Sequence, residues 1–245
     1  MRTSTTLPDY EHLPGDVWVF HAPGMEEQAA EARTLLERGM PMLAEMLGVE
    51  PPELEVFLVN EEDWAEAPRE GERAYPTGLP YFTRSVRPPA LVLPVALSPL
   101  FRPRTQATYP LIIWHELAHA FLLQGEVVRT PVWLGEFIPQ AASAAVARRT
   151  RLPLEEHLRK IDREPEFTLR SFRKHTDAES QMAFQNRLLL LGADAVEEFG
   201  ERFLGRLVRA LWRETKVVSE ERAEELLADA LGSGGREWLL SRPKL

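Results

Sequence analysis

The sequence predicts an α+β protein, with a small mixed sheet in the first half of the chain and mainly helices in the second. Short runs rich in Val, Phe and Leu alternate with Gly- and Pro-containing turns as far as Leu97, a pattern typical of strands. After Leu111 the apolar residues recur at the three- and four-residue spacing of helices. We therefore expect an N-terminal α/β lobe over residues 1–150 and a helical C-terminal lobe over residues 151–245, together forming one compact unit.

Composition narrows the classes of partner. With 44% hydrophobic and 27% charged residues in 245, the chain resembles ordinary soluble globular proteins. Its formal net charge of −9 argues against nucleic acid and against anionic membranes as partners. The absence of cysteine excludes disulfides, thiolate zinc sites and thiol catalysis. Met1–Pro8 lacks the apolar core of a signal peptide, so we expect a cytoplasmic protein, whose oligomeric state the sequence does not indicate.

The first half contains three predicted strands and one predicted helix. Apolar runs indicate the strands, and an apolar stripe at helical spacing indicates the helix. The strands are Val17–Phe20, Leu54–Val59 and Ala90–Leu97, and the helix is Met25–Leu47. The last strand contains Pro94, which cannot donate a hydrogen bond to a neighbour, so we expect this strand at the edge of the sheet.

Residues 60–89 show no periodic pattern and are rich in charged residues, Pro and Gly. Loops of this length in compact domains are usually functional or mobile. Three of its aromatic residues, Tyr75, Tyr81 and Phe82, either line a cleft or pack against the core, and we favour packing.

The residues from Leu111 to Leu123 form an apolar helix with three polar side chains in its middle, His115, Glu116 and His119. Residues four apart lie one turn apart on the same face, so both histidines can bind one ion, with the glutamate beside it. In this His-Glu-x-x-His arrangement two imidazoles bind zinc and the glutamate takes a proton from a bound water. The alternative is a chance match whose histidines hydrogen-bond within the core.

A catalytic zinc ion usually has a third protein ligand. We expect Gly125 to end the zinc helix in a left-handed turn, and Thr130 and Pro131 to begin a second helix as its N-cap and first residue. Glu136 on that second helix is the candidate third ligand. Four other downstream residues could compete with it: Glu126, His157, His175 and Asp177.

The His-Glu-x-x-His pattern followed by Pro-x-Trp-Leu-x-Glu at residues 131–136 resembles the gluzincins, the zinc peptidases of the thermolysin-like clan. It is most similar to their compact bacterial branch with a Trp-Leu-x-Glu helix. The metzincin pattern fits less well, because it would place glycine at position 122 and histidine at position 125, where this chain has Leu122 and Gly125.

The resemblance implies a zincin-like fold, with an edge strand over the active-site helix that holds a peptide substrate in extended form. It also implies that His115, His119 and Glu136 bind Zn²⁺ and that Glu116 is the general base. The helix of Glu136 departs from the family pattern in two residues. Pro139 is expected to kink this helix just after Glu136.

The second departure is Gln140, where gluzincins often have an acidic residue. Gln140 lies one turn beyond Glu136, and we expect it either to orient His115 or His119 or to be a surface amide.

The rest of the chain is predicted to be helical. His157 falls in the amphipathic segment Leu154–Ile161 and is expected at the surface, and residues 162–175 form a charged joint. The predicted helices that follow are Asp177–Leu191, Ala195–Trp212 and Ser219–Leu231, with a break at Gly192–Asp194 between the first two.

Peptide hydrolysis also needs a donor that stabilises the oxyanion. Gluzincins usually have a Tyr or His on a helix in the second half, but residues 178–180 of this chain contain no tyrosine. His175 is our candidate for this catalytic role and Arg173 the reserve. The predicted function is zinc-dependent hydrolysis of peptides or proteins. The alternative is a zincin-like protein that binds zinc and peptides with weak or no catalysis, and a helical interaction module without metal is a more distant third.

Overall fold

A five-stranded mixed sheet, eight α-helices and a short 3-10 helix at Trp64–Glu66 form the regular structure of the computed structural model, which describes residues 7–71, 75–125, 128–161 and 177–242. The sheet order is β1-β2-β3-β5-β4. The strands are β1 Glu11–Leu13, β2 Trp18–His21, β3 Glu55–Val59, β4 Tyr81–Thr83 and β5 Ala90–Pro94. The helices are α1 Glu26–Leu47, α2 Thr108–Leu122, α3 Val132–Arg149, α4 Leu154–Arg159, α5 Ala178–Phe199, α6 Arg202–Leu211, α7 Glu220–Leu231 and α8 Gly235–Leu240. The mixed α+β class and the helical second half are confirmed.

The two faces of the sheet bury different clusters because strand side chains alternate. Val56, Leu58 and Leu91 face the helices and belong to the large core. Phe57 and Val92 face the other way, into a smaller cluster that the segment between β3 and β5 covers with Trp64 and other residues. Among the described residues, no helix is long and apolar enough to cross a bilayer.

The edge of the sheet differs from the prediction. β5 is an inner strand, parallel to β3 and antiparallel to β4, so the expectation that the Ala90–Leu97 strand lies at the edge is wrong. Pro94 is tolerated there because the main-chain groups of alternate residues face opposite neighbours, and the Val95 N–H already bonds Val59 on β3. The nitrogen of Pro94 therefore faces the other side, beyond the end of β4, where no hydrogen bond is needed.

Two glycines allow helices to approach closely. A Cβ at Gly39 on α1 would lie 2.5 Å from the ring of Trp114 on α2. A Cβ at Gly192 on α5 would lie 2.7 Å from the Cα of Ala141 on α3. The predicted break at Gly192–Asp194 is therefore wrong: this glycine is a packing position inside α5. The helix ends at Phe199, followed by Gly200 with a positive φ of 67°.

Candidate metal centre

Helix α2 is buried on nearly all sides, which fixes the direction of its polar side chains. Ile113, Leu117 and Phe121 are each fully buried in the large core. Trp114 donates a hydrogen bond from its indole nitrogen to the Leu35 carbonyl of α1, at 2.9 Å. His115, one residue later, is 8% exposed. The face that carries the two histidines therefore points toward α3.

The turn between α2 and α3 differs in detail from the predicted one. α2 ends at Leu122, and Gly125 has no positive φ, so the left-handed termination at Gly125 is wrong. Gly125 instead lies against the indole of Trp212, where a Cβ would be 2.5 Å from the ring. The N-cap of α3 is Pro131 and makes no side-chain capping bond, so the expected capping role of Thr130 is wrong as well.

Three ligand atoms converge where α2 meets α3. The Nε2 atoms of His115 and His119 are 3.1 Å apart. Oε2 of Glu136 is 3.3 Å from the first and 3.4 Å from the second. In a tetrahedral site with ligands about 2.0–2.1 Å from a zinc ion, neighbouring ligand atoms are about 3.3 Å apart. The separations of this triad therefore fit a shared metal ion, and they confirm that these residues can form a metal site.

A chain of amides orients the carboxylate of Glu136. Gln185 on α5 donates to Oε2 of Glu136 at 2.8 Å, and Gln140 on α3 donates to Oε1 of Gln185 at 2.6 Å. A carboxylate only accepts, so the amide nitrogen of Gln185 must face it and its oxygen must face Gln140. Gln140 thus makes no hydrogen bond to His115 or His119, and it is not a free surface amide. Both alternatives predicted for Gln140 are therefore wrong.

Gln185 was not predicted to belong to the site. The available signal was a pair of amides, Gln181 and Gln185, spaced four apart along a helix whose neighbours Phe184 and Leu188 are apolar. Polar residues near such an apolar face need partners, and here Gln185 finds its partners on α3.

His115 lacks the second partner that a metal-bound histidine usually has. Its Nδ1 is buried and makes no hydrogen bond within the described part of the chain. Because histidine ligands are usually oriented by a bond to the other ring nitrogen, the orientation of His115 here depends on packing within α2.

Electrostatics separates the two glutamates of the site. Burial raises the pKa of Glu136, but the adjacent imidazoles of His119 and His115 outweigh it and hold that pKa well below the usual range. Burial also raises the pKa of Glu116, and there it prevails over the lowering by the two histidines and by the Phe82 backbone N–H. Glu136 is thus suited to remain a charged ligand and Glu116 to exchange a proton.

Glu116 lies beside the triad without being part of it. Its Oε1 is 4.0 Å from Nε2 of His115. Phe82, whose backbone N–H acts on this carboxylate, belongs to β4, the strand at the edge of the sheet. Glu116 therefore lies between the three ligands and the sheet edge.

The triad opens into a cleft of about 520 Å³. Its walls come from β4 and the preceding segment, from the connection before α2, and from α2, α3, α4 and α5. Tyr75 lines this cleft and also stacks on Tyr81, with ring centroids 4.1 Å apart, so the two alternatives for Tyr75 both hold. Phe82 lines the cleft and packs against the large core.

The two competing ligand candidates that the structure describes, His157 and Asp177, do not join the triad. In the described parts of the chain, His115, His119 and Glu136 form the one group of three or more potential ligands. His157 is buried in the cleft wall, so its expected surface position is wrong. Asp177 caps α5 by accepting from the Ser180 N–H at 2.9 Å. The predictions for Glu126, Arg173 and His175 fall outside the described residues.

Two comparisons, with family models and with curated protein sequences, found no relative. No model of a known protein family matches the chain. No curated protein sequence matches it significantly.

Proposed function

We propose that this protein is a zinc-dependent peptidase of gluzincin type. The observation that carries the proposal is the convergence of His115, His119 and Glu136 on one point, with Glu116 beside them in an open cleft. The spacing of His115, Glu116 and His119 on α2 is that of zinc peptidases. The third ligand, Glu136, comes from the next helix, as in the family that the sequence resembles.

The donor set of two imidazoles and one carboxylate suits Zn²⁺, and it leaves room for a further ligand from the cleft. When bound, the ion would lower the pKa of a water molecule and polarise the carbonyl group of the substrate. His115, His119 and Glu136 would hold it, and Gln185 would keep the carboxylate of Glu136 in place through its 2.8 Å hydrogen bond.

Glu116 is the proposed general base. Its raised pKa brings this carboxylate closer to neutral pH, where it can take a proton from water and pass it to the leaving amine. Glu116 lies between the ligand histidines and the main chain of Phe82. This position supports the role of general base, because a metal-bound water and a peptide on the sheet edge would both be next to its carboxylate.

Tyr75 is the described residue best suited to donate a hydrogen bond to the developing oxyanion. Its backbone carbonyl accepts from the Trp64 indole at 2.9 Å, which fixes the main chain, and its ring stacks on Tyr81 at an interplanar angle of 11°, which orients the side chain. Burial, then the negative charges of Glu70 and Glu116, raise the pKa of Tyr75, which keeps its hydroxyl protonated. Tyr75 precedes the zinc helix in sequence, unlike the predicted His175.

The shape of the cleft supports a peptide as substrate. β4 is a free edge next to Glu116, and the main chain at such an edge can pair with an extended peptide. The available edge is short, because the Phe82 N–H is directed at Glu116 and the Arg84 N–H donates to Oε1 of Glu70 at 3.2 Å. We therefore propose that a peptide contacts main-chain groups of β4 other than these two N–H groups, with side-chain recognition elsewhere in the cleft.

The proposal is tested by metal analysis and peptide hydrolysis on the same preparations. Wild type should contain about one zinc per chain and cleave members of a mixed peptide library. Glu116→Gln should retain the metal and lose hydrolysis by about 10²–10⁴-fold, because only the proton acceptor is removed. Glu136→Gln should lose metal as well, and chelation should inactivate wild type.

The matched control is Glu53→Gln, at an exposed glutamate outside the cleft, which should change neither property. The peptide-binding alternative would be established if wild type binds zinc and peptides without cleaving them and Glu116→Gln behaves in the same way. Purified wild type without affinity for zinc would contradict both.

A further inference from the structure

His157 is a buried histidine that lines the same cleft. It lies on α4 and is 4% exposed. Its Nδ1 is 2.8 Å from the hydroxyl of Thr105, in the connection before α2. In the part of the chain that the structure describes, no group hydrogen-bonds Nε2, and this atom is not sealed from solvent. Because Nδ1 is turned to Thr105, Nε2 is the nitrogen that is left for the cleft.

The hydrogen bonds of Thr105 favour the tautomer of His157 that carries its hydrogen on Nε2. Oγ1 of Thr105 accepts from the Ala107 N–H at 3.2 Å, and its own hydrogen has one acceptor within reach among the described groups, Nδ1 of His157. A neutral imidazole that accepts at Nδ1 carries its hydrogen on Nε2. Burial, and then the charge of Lys160, lower the pKa of His157 to about 4, so the ring is neutral near pH 7.

Arg102 adds a positive charge to the same cleft. It is exposed, lines the cleft, and its guanidinium forms no ion pair or hydrogen bond with the residues that the structure describes. The carbonyl of Arg102 accepts from the side chain of Asn186 on α5 at 2.9 Å, which fixes its backbone. Arg102 precedes Thr105, the partner of His157, by three residues on the same connection, so an N–H donor and a guanidinium both line this part of the cleft and together favour an anionic ligand.

We propose that His157 and Arg102 form a recognition subsite for a carboxylate side chain, Asp or Glu, of the bound peptide. This subsite rests on the proposed function, since it names the class of peptide that the cleft would take. Nε2 of His157 donates to one carboxylate oxygen, Thr105 keeps the ring in the donating form, and Arg102 contributes charge. His157 and Arg102 are specificity residues here, and Thr105 is a positioning residue.

A binding assay without turnover tests the subsite independently of hydrolysis. The probe is a positional-scanning library of decapeptides in which each position in turn carries Glu, Gln or Leu, bound to zinc-loaded Glu116→Gln protein. We expect one position at which Glu binds about tenfold more tightly than Leu, with Gln intermediate. In the His157→Leu background the Glu-to-Leu ratio should fall to about one.

The controls separate recognition from general damage. His21→Leu removes another buried histidine, which lies outside the cleft, and should leave the ratio unchanged. Thr105→Val should reduce the ratio, whereas Thr105→Ser should restore it, because the hydroxyl returns. This pair tests the orientation of His157 even if His157→Leu does not fold.

Two results would overturn the subsite. The first is equal binding of Glu and Leu peptides at every position. The second is a Glu preference that persists in both His157→Leu and Thr105→Val. A Gln preference above Glu would overturn its anionic character. The peptidase proposal fails separately, if wild type cleaves no peptide while the Glu preference in binding remains.

Discussion

Replacement of Gly192 by alanine is expected to destabilise the protein, because helix α3 passes directly over this position of α5. The new Cβ would lie 2.7 Å from Cα, 2.8 Å from N and 2.9 Å from Cβ of Ala141. Carbon atoms in contact are normally about 3.5–4.0 Å apart, so the two helices would have to separate by about 1 Å. Overpacking of this size costs about 1–3 kcal/mol, and the better helix propensity of alanine offsets about 1 kcal/mol. We expect Gly192→Ala to lower the free energy of unfolding by up to about 2 kcal/mol.

The matched control is Gly135→Ala on α3, since Gly135 is also a helical glycine. The atom nearest to its added Cβ would be the Thr130 hydroxyl oxygen, at 3.6 Å, an ordinary contact. Alanine should therefore be accommodated and raise the free energy of unfolding by up to about 1 kcal/mol. The two identical chemical changes are expected to have opposite signs.

Urea denaturation followed by circular dichroism measures both variants, with a chelator present so that bound metal does not add to the stability. Zinc affinity gives a second readout, because separation of α3 from α5 would stretch the Gln185–Glu136 hydrogen bond. If Gly192→Ala proved as stable as wild type while Gly135→Ala behaved as expected, the close packing of α3 on α5 would be refuted.

Two further predictions concern the cleft. Gln185→Leu removes the donor that orients Glu136 and should weaken zinc binding about 10–100-fold in a competition titration. The control Gln124→Leu lies outside the cleft and should leave the zinc affinity unchanged. Equal zinc affinities of Gln185→Leu and wild type would show that this amide has no orienting role. Tyr75→Phe should lower kcat about 10–100-fold and change zinc content and KM little. The control Tyr109→Phe lies outside the cleft and should leave kcat unchanged. An unchanged kcat in Tyr75→Phe would exclude this tyrosine as the oxyanion donor.

The triad could be predicted from sequence because its geometry is mostly local. One turn of one helix brings His115 and His119 together, and the next helix needs only a short turn to bring Glu136 back. The amphipathic pattern of the second half is equally local, and it gave the helical character of that half.

The errors came from contacts between residues far apart in sequence. β4 has three residues in a segment without alternation, so nothing local showed that it would pair with β5 and take the edge from it. Gly192 suggested a break because glycine usually interrupts helices, but the backbone of Ala141 requires it inside one. His157 was predicted to lie at the surface because its partner, Thr105, comes from a distant connection.

One oxygen atom, Oε2 of Glu136, connects the histidines of α2 with α5 in the second half of the chain. Oε2 of Glu136 meets nitrogen atoms of His115 and His119 from one side and the amide of Gln185, from beyond residue 150, on the other. A fragment that ends before α5 would contain all three ligands yet lack the group that aims the carboxylate and the helix that supports α3. The full orientation of the three ligands therefore depends on the docked C-terminal helices, and the affinity for metal would report that docking.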